Sequence, residues 1–301
     1  MSRVHDALRK AESAVQGQTA QPLPPMPQAP MPPRAGMAGP PAGTAVETPL
    51  TAPAAIFDPH GLLDRIEVIP FSPSPDASLL DPQNPGDTAG EEFRTLRTRL
   101  NHLKSLQPLK SLVVTSPSPA EGKSFTAANL ALAQAQLEGN MTLLADFDFR
   151  RPVIHNLFQV PRSPGVTDYL QGRASLDEII KRVNGTNLCI MPAGEAVLNP
   201  LELLNLREVK VILDTLPSIF NWIVLDTPPL LFAADANLLA TLTSGTLMVV
   251  RIGSTTIDAV TRALQSLCQN NVLGIVVNGA RRGDLYSKYT YYHSYYYSRP
   301  E

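Results

Sequence analysis

The chain has 301 residues, with 25 Lys and Arg against 27 Asp and Glu, a formal charge of −2. That balance excludes a general nucleic-acid binder, which carries a basic surplus. Two cysteines, Cys189 and Cys268, form no CxxC pair and no ligand cluster; a disulfide framework and a paired-cysteine iron–sulfur site are excluded, and both read as buried thiols.

Length alone allows two domains at roughly 150 residues each. Composition argues for one. Of 29 Pro, 17 lie in residues 1–90, and of 8 Tyr, 7 lie from Tyr286 onward. Only the segment between can bury a large core. Residues 2–16 carry Val4, Leu8, Ala11 and Val15 at spacings of three and four, a short amphipathic helix. It reads either as a detached docking element or as an idle terminus. Residues 21–60 are rich in Pro and Ala and read as an extended linker.

Thr88-Ala-Gly-Glu91 fits a capping box. Phe93, Leu96, Leu100 and Leu103 then recur at helical spacing, with Glu91, Arg94 and Arg97 on another side of that helix. From residue 110, apolar runs predict strands at 112–115, 142–146, 188–191, 222–226, 246–251 and 274–278. Helical patterns at 123–138, 200–216 and 255–270 lie between them. Short apolar strands alternating with helices predict an α/β fold, a doubly wound, mostly parallel sheet with helices on both faces. The segment after Leu285 lacks core-forming aliphatics and reads as a mobile tail. The expected organisation is a helix at 1–16, a mostly disordered linker at 17–84, a nucleotide-binding domain at 85–283 and a Tyr-rich tail at 284–301.

The first predicted strand runs into Ser116-Pro-Ser-Pro-Ala-Glu-Gly122-Lys123-Ser124, and the last three of these open a helix. A helix N-terminus offers free N–H groups to phosphate oxygens. Lys123 can reach β- and γ-phosphates, and the Ser124 hydroxyl can ligate Mg²⁺. The general P-loop pattern wants Gly where this chain has Pro117. The next strand ends in Asp146-Phe-Asp148-Phe-Arg150, and a later one in Asp226-Thr-Pro-Pro. Strand C-terminal ends of a doubly wound sheet converge on one crevice. Lys123, Ser124, Asp146, Asp148 and Asp226 are thereby expected at one place, the equipment of metal-assisted phosphoryl transfer.

This constellation resembles the bacterial tyrosine kinase family, polysaccharide-biosynthesis autokinases of the Mrp/MinD/ParA-like P-loop class. SPSPAEGKS matches its Walker A, LLADFDFR its Walker A′ and IVLDTPP its Walker B. Glu91, Arg94 and Arg97 match its E-x-x-R-x-x-R oligomerisation motif, and NPLELL at 199–204 looks like a stretch these kinases carry. The resemblance implies ATP and Mg²⁺ as cofactors. Lys123 would bind phosphate, helped by loop residues Ala120, Glu121, Gly122, Ser124 and Phe125. Ser124, Asp146 and Asp226 would form the metal shell. Asp146 and Asp148 would share metal-shell duty and orientation or deprotonation of the tyrosine hydroxyl. Arg150 would pair with a carboxylate or contact substrate. Asn278 is either the residue that reads adenine or an ordinary strand-end Asn.

Tyr286, Tyr289, Tyr291, Tyr292, Tyr295, Tyr296 and Tyr297 fall in the last 16 residues, where about 0.4 Tyr is expected from composition. They read as phosphoacceptors rather than as an aromatic docking tail. The resemblance further implies a homo-oligomer, a separate membrane-embedded chain-length-determinant (polysaccharide co-polymerase) adaptor and a tyrosine phosphatase as partners, with no nucleic acid. The N-terminus lacks a signal-peptide core, and no stretch reaches the ~20 apolar residues of a membrane span. The expected location is therefore cytoplasmic, peripheral at the inner membrane face through a partner. Two other readings stand beside autokinase: a MinD/ParA-like positioning ATPase and a nucleotide-binding regulatory scaffold. Thr115–Gly122 lacks the signature lysine of the first, and intact Lys123, Asp146, Asp148 and Asp226 count against the second.

Overall fold

The computed structural model of the chain describes residues 59–74, 77–81, 88–267 and 272–280. In chain order these form α1 (Pro59–Arg65), β1 (Glu67–Ile69), α2 (Thr88–Leu106), β2 (Ser111–Thr115), α3 (Lys123–Ala135) and β3 (Thr142–Asp146). Next come α4 (Ile154–Leu157), α5 (Val166–Leu170), α6 (Leu176–Ile179), β4 (Lys181–Val183), β5 (Leu188–Met191), α7 (Pro200–Leu204) and α8 (Arg207–Thr215). The last elements are β6 (Trp222–Asp226), α9 (Asp235–Thr241), β7 (Gly245–Arg251), α10 (Ile257–Ser266) and β8 (Val272–Asn278).

The strands form one sheet in the order β1-β4-β5-β3-β6-β2-β7-β8. The run from β5 to β8 is parallel throughout, and β4 joins β5 antiparallel. All six expected strands are present, with ends within two residues of their predicted limits. The predicted helix over 200–216 is two helices, because the chain turns at Asn205 and Leu206.

Successive strand side chains point to opposite faces, and the core follows that alternation. Val113, Leu143, Ala145, Cys189, Met191, Ile223 and Leu225 pack on one face with α1 and α5 to α8. Leu112, Val114, Leu144, Leu188, Ile190, Trp222 and Val224 pack on the other with α2 and α3. Each fully buried aliphatic contributes roughly 1.5–3 kcal/mol relative to exposure. With both faces covered, the strand ends are the places left for chemistry.

The fold extends ahead of the expected boundary at residue 85. Leu62 of α1 and Ile66 just after it are buried in the first core layer, and β1 pairs with β4 in register Glu67↔Lys181. Within the expected linker, residues 59–65 thus form a helix packed on the core and residues 67–69 a strand of the sheet. Three-residue strands such as EVI and KRV are too short to show a period, and Pro70 directly after β1 reads as linker. Residues 2–16, most of the Pro-rich segment and all seven tail tyrosines lie outside the described residues. No helix among the described residues is long and apolar enough to cross a membrane.

Candidate active site

The loop between β2 and α3 is held in a tense conformation. Ala120 has φ +63 and Gly122, the residue before α3, has φ +95. A side chain at Gly122 is doubly forbidden: its Cβ would sit 2.0 Å from Asn278 Nδ2. A non-glycine in the left-handed region costs of order 1–2 kcal/mol, so the surroundings must impose the loop's shape. The Asn278 amide donates to the Glu121 carbonyl (3.0 Å) and Arg251 Nη1 to the Ala120 carbonyl (3.2 Å). The buried Glu121 carboxylate accepts from the Ser118 N–H (3.0 Å) and the Thr255 hydroxyl (2.6 Å). Pro117 fits where the general pattern has Gly, because the left-handed positions are Ala120 and Gly122. The first-turn N–H groups of α3 lack intrahelical acceptors and face the crevice as anion donors.

Lys123 opens α3 and points at two carboxylates. Its Nζ lies 2.7 Å from Asp148 Oδ2 and 3.4 Å from Asp226 Oδ1, and donates to Ser124 Oγ at 3.1 Å. Burial works against the ammonium, but Asp226 and Asp148 outweigh it and hold its pKa above the ordinary lysine value. Asp226 ends β6 beside β2 and β3, fully buried, and is paired in register with Asp146. Burial raises the Asp226 carboxyl, opposed by Lys123 and Ser124. Its Oδ2 is buried with no hydrogen-bond partner.

The structure separates the two aspartates of the second motif. Asp148 touches Lys123 and lines a cavity of about 490 Å³ with Lys123, Ser124 and Arg150. Asp146 is fully buried and accepts from the backbone N–H groups of Asp148, Val153 and Ile154, each at 3.1 Å. Burial and then Asp226 push its carboxyl up to about 8. Asp146 thereby shapes the loop that carries Asp148 and Arg150. Arg150 is clamped by the buried Asp235 through Nε (2.8 Å) and Nη2 (3.1 Å).

Lys123 faces both Asp148 and Asp226, and the crowding of acids that raises the Asp146 carboxyl leaves the base of the crevice favourable to an added cation. Among the described residues no three His, Cys, Asp or Glu enclose a metal ion. A hard divalent cation that keeps its waters and takes one or two carboxylates plus substrate phosphates needs no such cage. The unpartnered Asp226 Oδ2 beside Ser124 fits it. The open N–H groups of α3 fit a phosphate chain.

Comparison with known proteins brings out tyrosine kinases. The chain is 33% identical over 210 residues to tyrosine-protein kinase YwqD of Bacillus subtilis, covering 69% of this chain and 88% of that protein. It belongs to the bacterial tyrosine kinases. A CapB relative from Staphylococcus aureus is 31% identical over 211 residues, with 69% of this chain and 92% of that one covered. Other kinases of the family are longer: the chain spans 32% of the Acinetobacter johnsonii kinase ptk, at 28% identity and over 80% of its own length. No family model matches. Among solved structures, the chimerical protein CapA2B2 superposes with a TM-score of 0.65 at 29% identity, covering 72% of this chain and 94% of that one. The kinase domain of Escherichia coli ETK gives 0.65 at 28%, covering 76% and 96%.

In this kinase the expected crevice residues come together, and three expected positions acquire a more particular setting. Asn278 is engaged on both sides, donating to Glu121 and accepting from the Gly279 N–H, and it clamps the phosphate loop. Arg94 pairs with Glu91 on the exposed side of α2. Arg97 donates to the Ala133 carbonyl at the end of α3 (2.8 Å), where a cation is favoured. Sequence reasoning missed Asp235, Arg251, Thr255 and Phe232. An acid opening the apolar helix DANLLAT was the one available signal.

Proposed function

We propose that this kinase is an ATP-dependent tyrosine autokinase of capsule or exopolysaccharide production that phosphorylates the C-terminal tyrosine cluster of a neighbouring copy. The observation that carries the reading is Lys123 set against Asp148 and Asp226 at the mouth of a phosphate-ready helix, in a chain ending in seven tyrosines. The polysaccharide context rests on relatives: one from Klebsiella pneumoniae, 34% identical over 205 residues, is named for the cps region.

In this reading the α3 N–H groups and Lys123 hold the phosphates of ATP. Lys123 turns from Asp148 to the γ-phosphate and stabilises its developing charge. The freed Asp148 accepts the proton of the tyrosine hydroxyl, whose pKa near ~10 makes an acceptor useful. The phenolic oxygen bonds to the γ-phosphorus as the bond from that phosphorus to the β–γ bridging oxygen breaks, and ADP leaves. Ser124 and Asp226 would hold Mg²⁺, which when bound neutralises phosphate charge. Asp146 keeps its loop in place and would stand behind Asp226 in the metal shell. The tail tyrosines would enter from another subunit of an oligomer using Glu91, Arg94 and Arg97. Each added phosphate brings about −1.5 to −2 charge, repels the acidic crevice and favours release. A separate membrane-embedded adaptor would activate the kinase at the inner membrane face, a reading supported by the chimeric form of the CapA2B2 neighbour. A tyrosine phosphatase would reset it.

Incubating the full chain with ATP and Mg²⁺, with and without the cytosolic part of a candidate adaptor, tests the reading. Phosphotyrosine in the tail is expected, absent in Lys123→Met. ATP hydrolysis without phosphotyrosine would instead indicate a positioning ATPase. Identical oligomer sizes for phosphorylated and Tyr→Phe-tail protein would sink the release step.

A further inference from the structure

Phe232 is a large aromatic side chain left 67% exposed, at the rim of the catalytic cavity. An exposed aromatic on a loose loop would be unremarked. This one stands on a turn stitched to the phosphate loop and its strand. Leu230 N–H donates to the Ser116 carbonyl (2.8 Å) and Leu231 N–H to the Pro117 carbonyl (3.3 Å). The Thr115 hydroxyl donates to the Pro228 carbonyl (2.9 Å), and the Thr227 hydroxyl to the Val114 carbonyl (3.1 Å). Leu230 is buried as the anchor of the turn. The backbone that carries the Phe232 ring is therefore tied to the loop that carries Lys123.

The rest of the rim has matching character. Val153, Pro229 and Ala233 line the cavity with Phe232, and none of them offers a side-chain hydrogen bond. Arg150 lines it too, with its charge already matched by the buried Asp235. The exposed Arg151 lines it as well. The cavity is thus polar at Lys123 and Asp148, and at its mouth the apolar Phe232, Val153, Pro229 and Ala233 stand beside the two guanidinium groups. That polarity suits an amphipathic guest with a flat apolar body and one hydroxyl, which describes a phenol.

We infer that Phe232 is a specificity-determining residue of this kinase: it is the platform on which the ring of an incoming tail tyrosine packs. The inference rests on the autokinase reading and names the acceptor side of that site. A serine or threonine hydroxyl brings no ring to the platform. Apolar contact with a ring is worth enough to shift binding about tenfold.

The test is binding of a fluorescent peptide of residues 284–301 to the full-length protein with a non-hydrolysable ATP analogue. Phe232→Ala is expected to weaken peptide binding about tenfold, with affinity for the analogue within about twofold. Phe232→Tyr is expected to restore peptide binding. A peptide with all tyrosines changed to Phe is expected to bind like the parent, and one with Ser in their place to bind like parent peptide on Phe232→Ala. Unchanged peptide binding by Phe232→Ala, or equal binding of the Ser peptide, overturns the inference. So does an equal loss of nucleotide affinity. Phosphotyrosine formation by wild type is the separate readout for the kinase reading: ring-dependent binding with no phosphotyrosine would overturn that reading and leave the platform standing.

Discussion

Two buried aspartates of the fold, Asp146 and Asp168, are solvated by the protein in similar ways and carry opposite electrostatic settings. Asp146 ends β3, accepts three backbone N–H bonds and faces Asp226 in register. Its carboxyl is pushed up to about 8, first by burial and then by that second acid. Asp168 on α5 accepts from the N–H groups of Gly165 (2.9 Å) and Glu195 (3.3 Å), the Ser163 hydroxyl (2.9 Å) and the Arg173 guanidinium (2.5 Å). Burial works against its charge, yet those donors hold its carboxyl below the usual range. At Asp168 the donors outweigh burial, whereas at Asp146 burial and the neighbouring Asp226 outweigh the backbone donors. Asp168 closes its own charge and staples the 163–168 and 194–195 loops together. The crevice leaves its charge open, as a site that must receive a cation with its substrate would.

The largest effect expected from breaking that contrast is on activity. Lys123→Met removes the ammonium bonded to Asp148 and Asp226, and tail phosphotyrosine, read by immunoblot, should fall at least about a hundredfold. Asp226→Asn should cost a similar factor while acting oppositely on stability. It removes the like charge beside Asp146, and the new amide can donate to the Asp146 carboxylate. In metal-free protein at pH 8.5 its Tm should exceed wild type. Added Mg²⁺ and ATP analogue should raise the wild-type Tm and leave the variant's unchanged. A Tm loss in Asp226→Asn would mean that the crevice is as closed as the Asp168 cluster.

Asp168→Asn should lower stability by about 1–3 kcal/mol at neutral pH, seen as a drop of several degrees in Tm. The sign of its pH dependence follows from the lowered carboxyl. Its contribution is full above the unfolded aspartate value of about 3.9 and is lost as pH falls through the lower folded value. The gap between wild type and variant should therefore close in acid. Asp146 runs the other way. A carboxyl raised to about 8 weakens the fold progressively as pH climbs from about 4 towards 8. The smallest effect concerns Cys189, buried in β5 with its thiol pushed up to about 12. In a Cys268→Ser background it should stay unlabelled by a thiol reagent at pH 8 until the protein unfolds.

The same contrast marks how much was legible beforehand. The six longer strands read directly as apolar runs; β2, β3, β5 and β6 are buried on both faces, and the edge strand β8 is half-exposed. Lys123, Ser124, Asp146, Asp148 and Asp226 read as one site because strand ends converge. What did not read was whatever depends on partners distant in sequence. Asn278 and Glu121 meet across 157 residues, and Arg150 and Asp235 across 85. Asp146 and Asp148 look alike in LLADFDFR, yet Asp146 is claimed by three backbone N–H groups and Asp148 by Lys123 and the Arg151 N–H. β1 and β4 were missed because three residues show no alternation.

The most direct measurement mixes two inactive-or-blocked forms of the chain. Full-length Lys123→Met, with its tyrosines intact, serves as acceptor, and a chain with the seven tail tyrosines changed to Phe serves as enzyme. ATP, Mg²⁺ and the adaptor's cytosolic segment are added, and phosphotyrosine is mapped by mass spectrometry. The account predicts phosphate on the tail tyrosines of the Lys123→Met chain. ATP consumed with those tyrosines unmodified would contradict it.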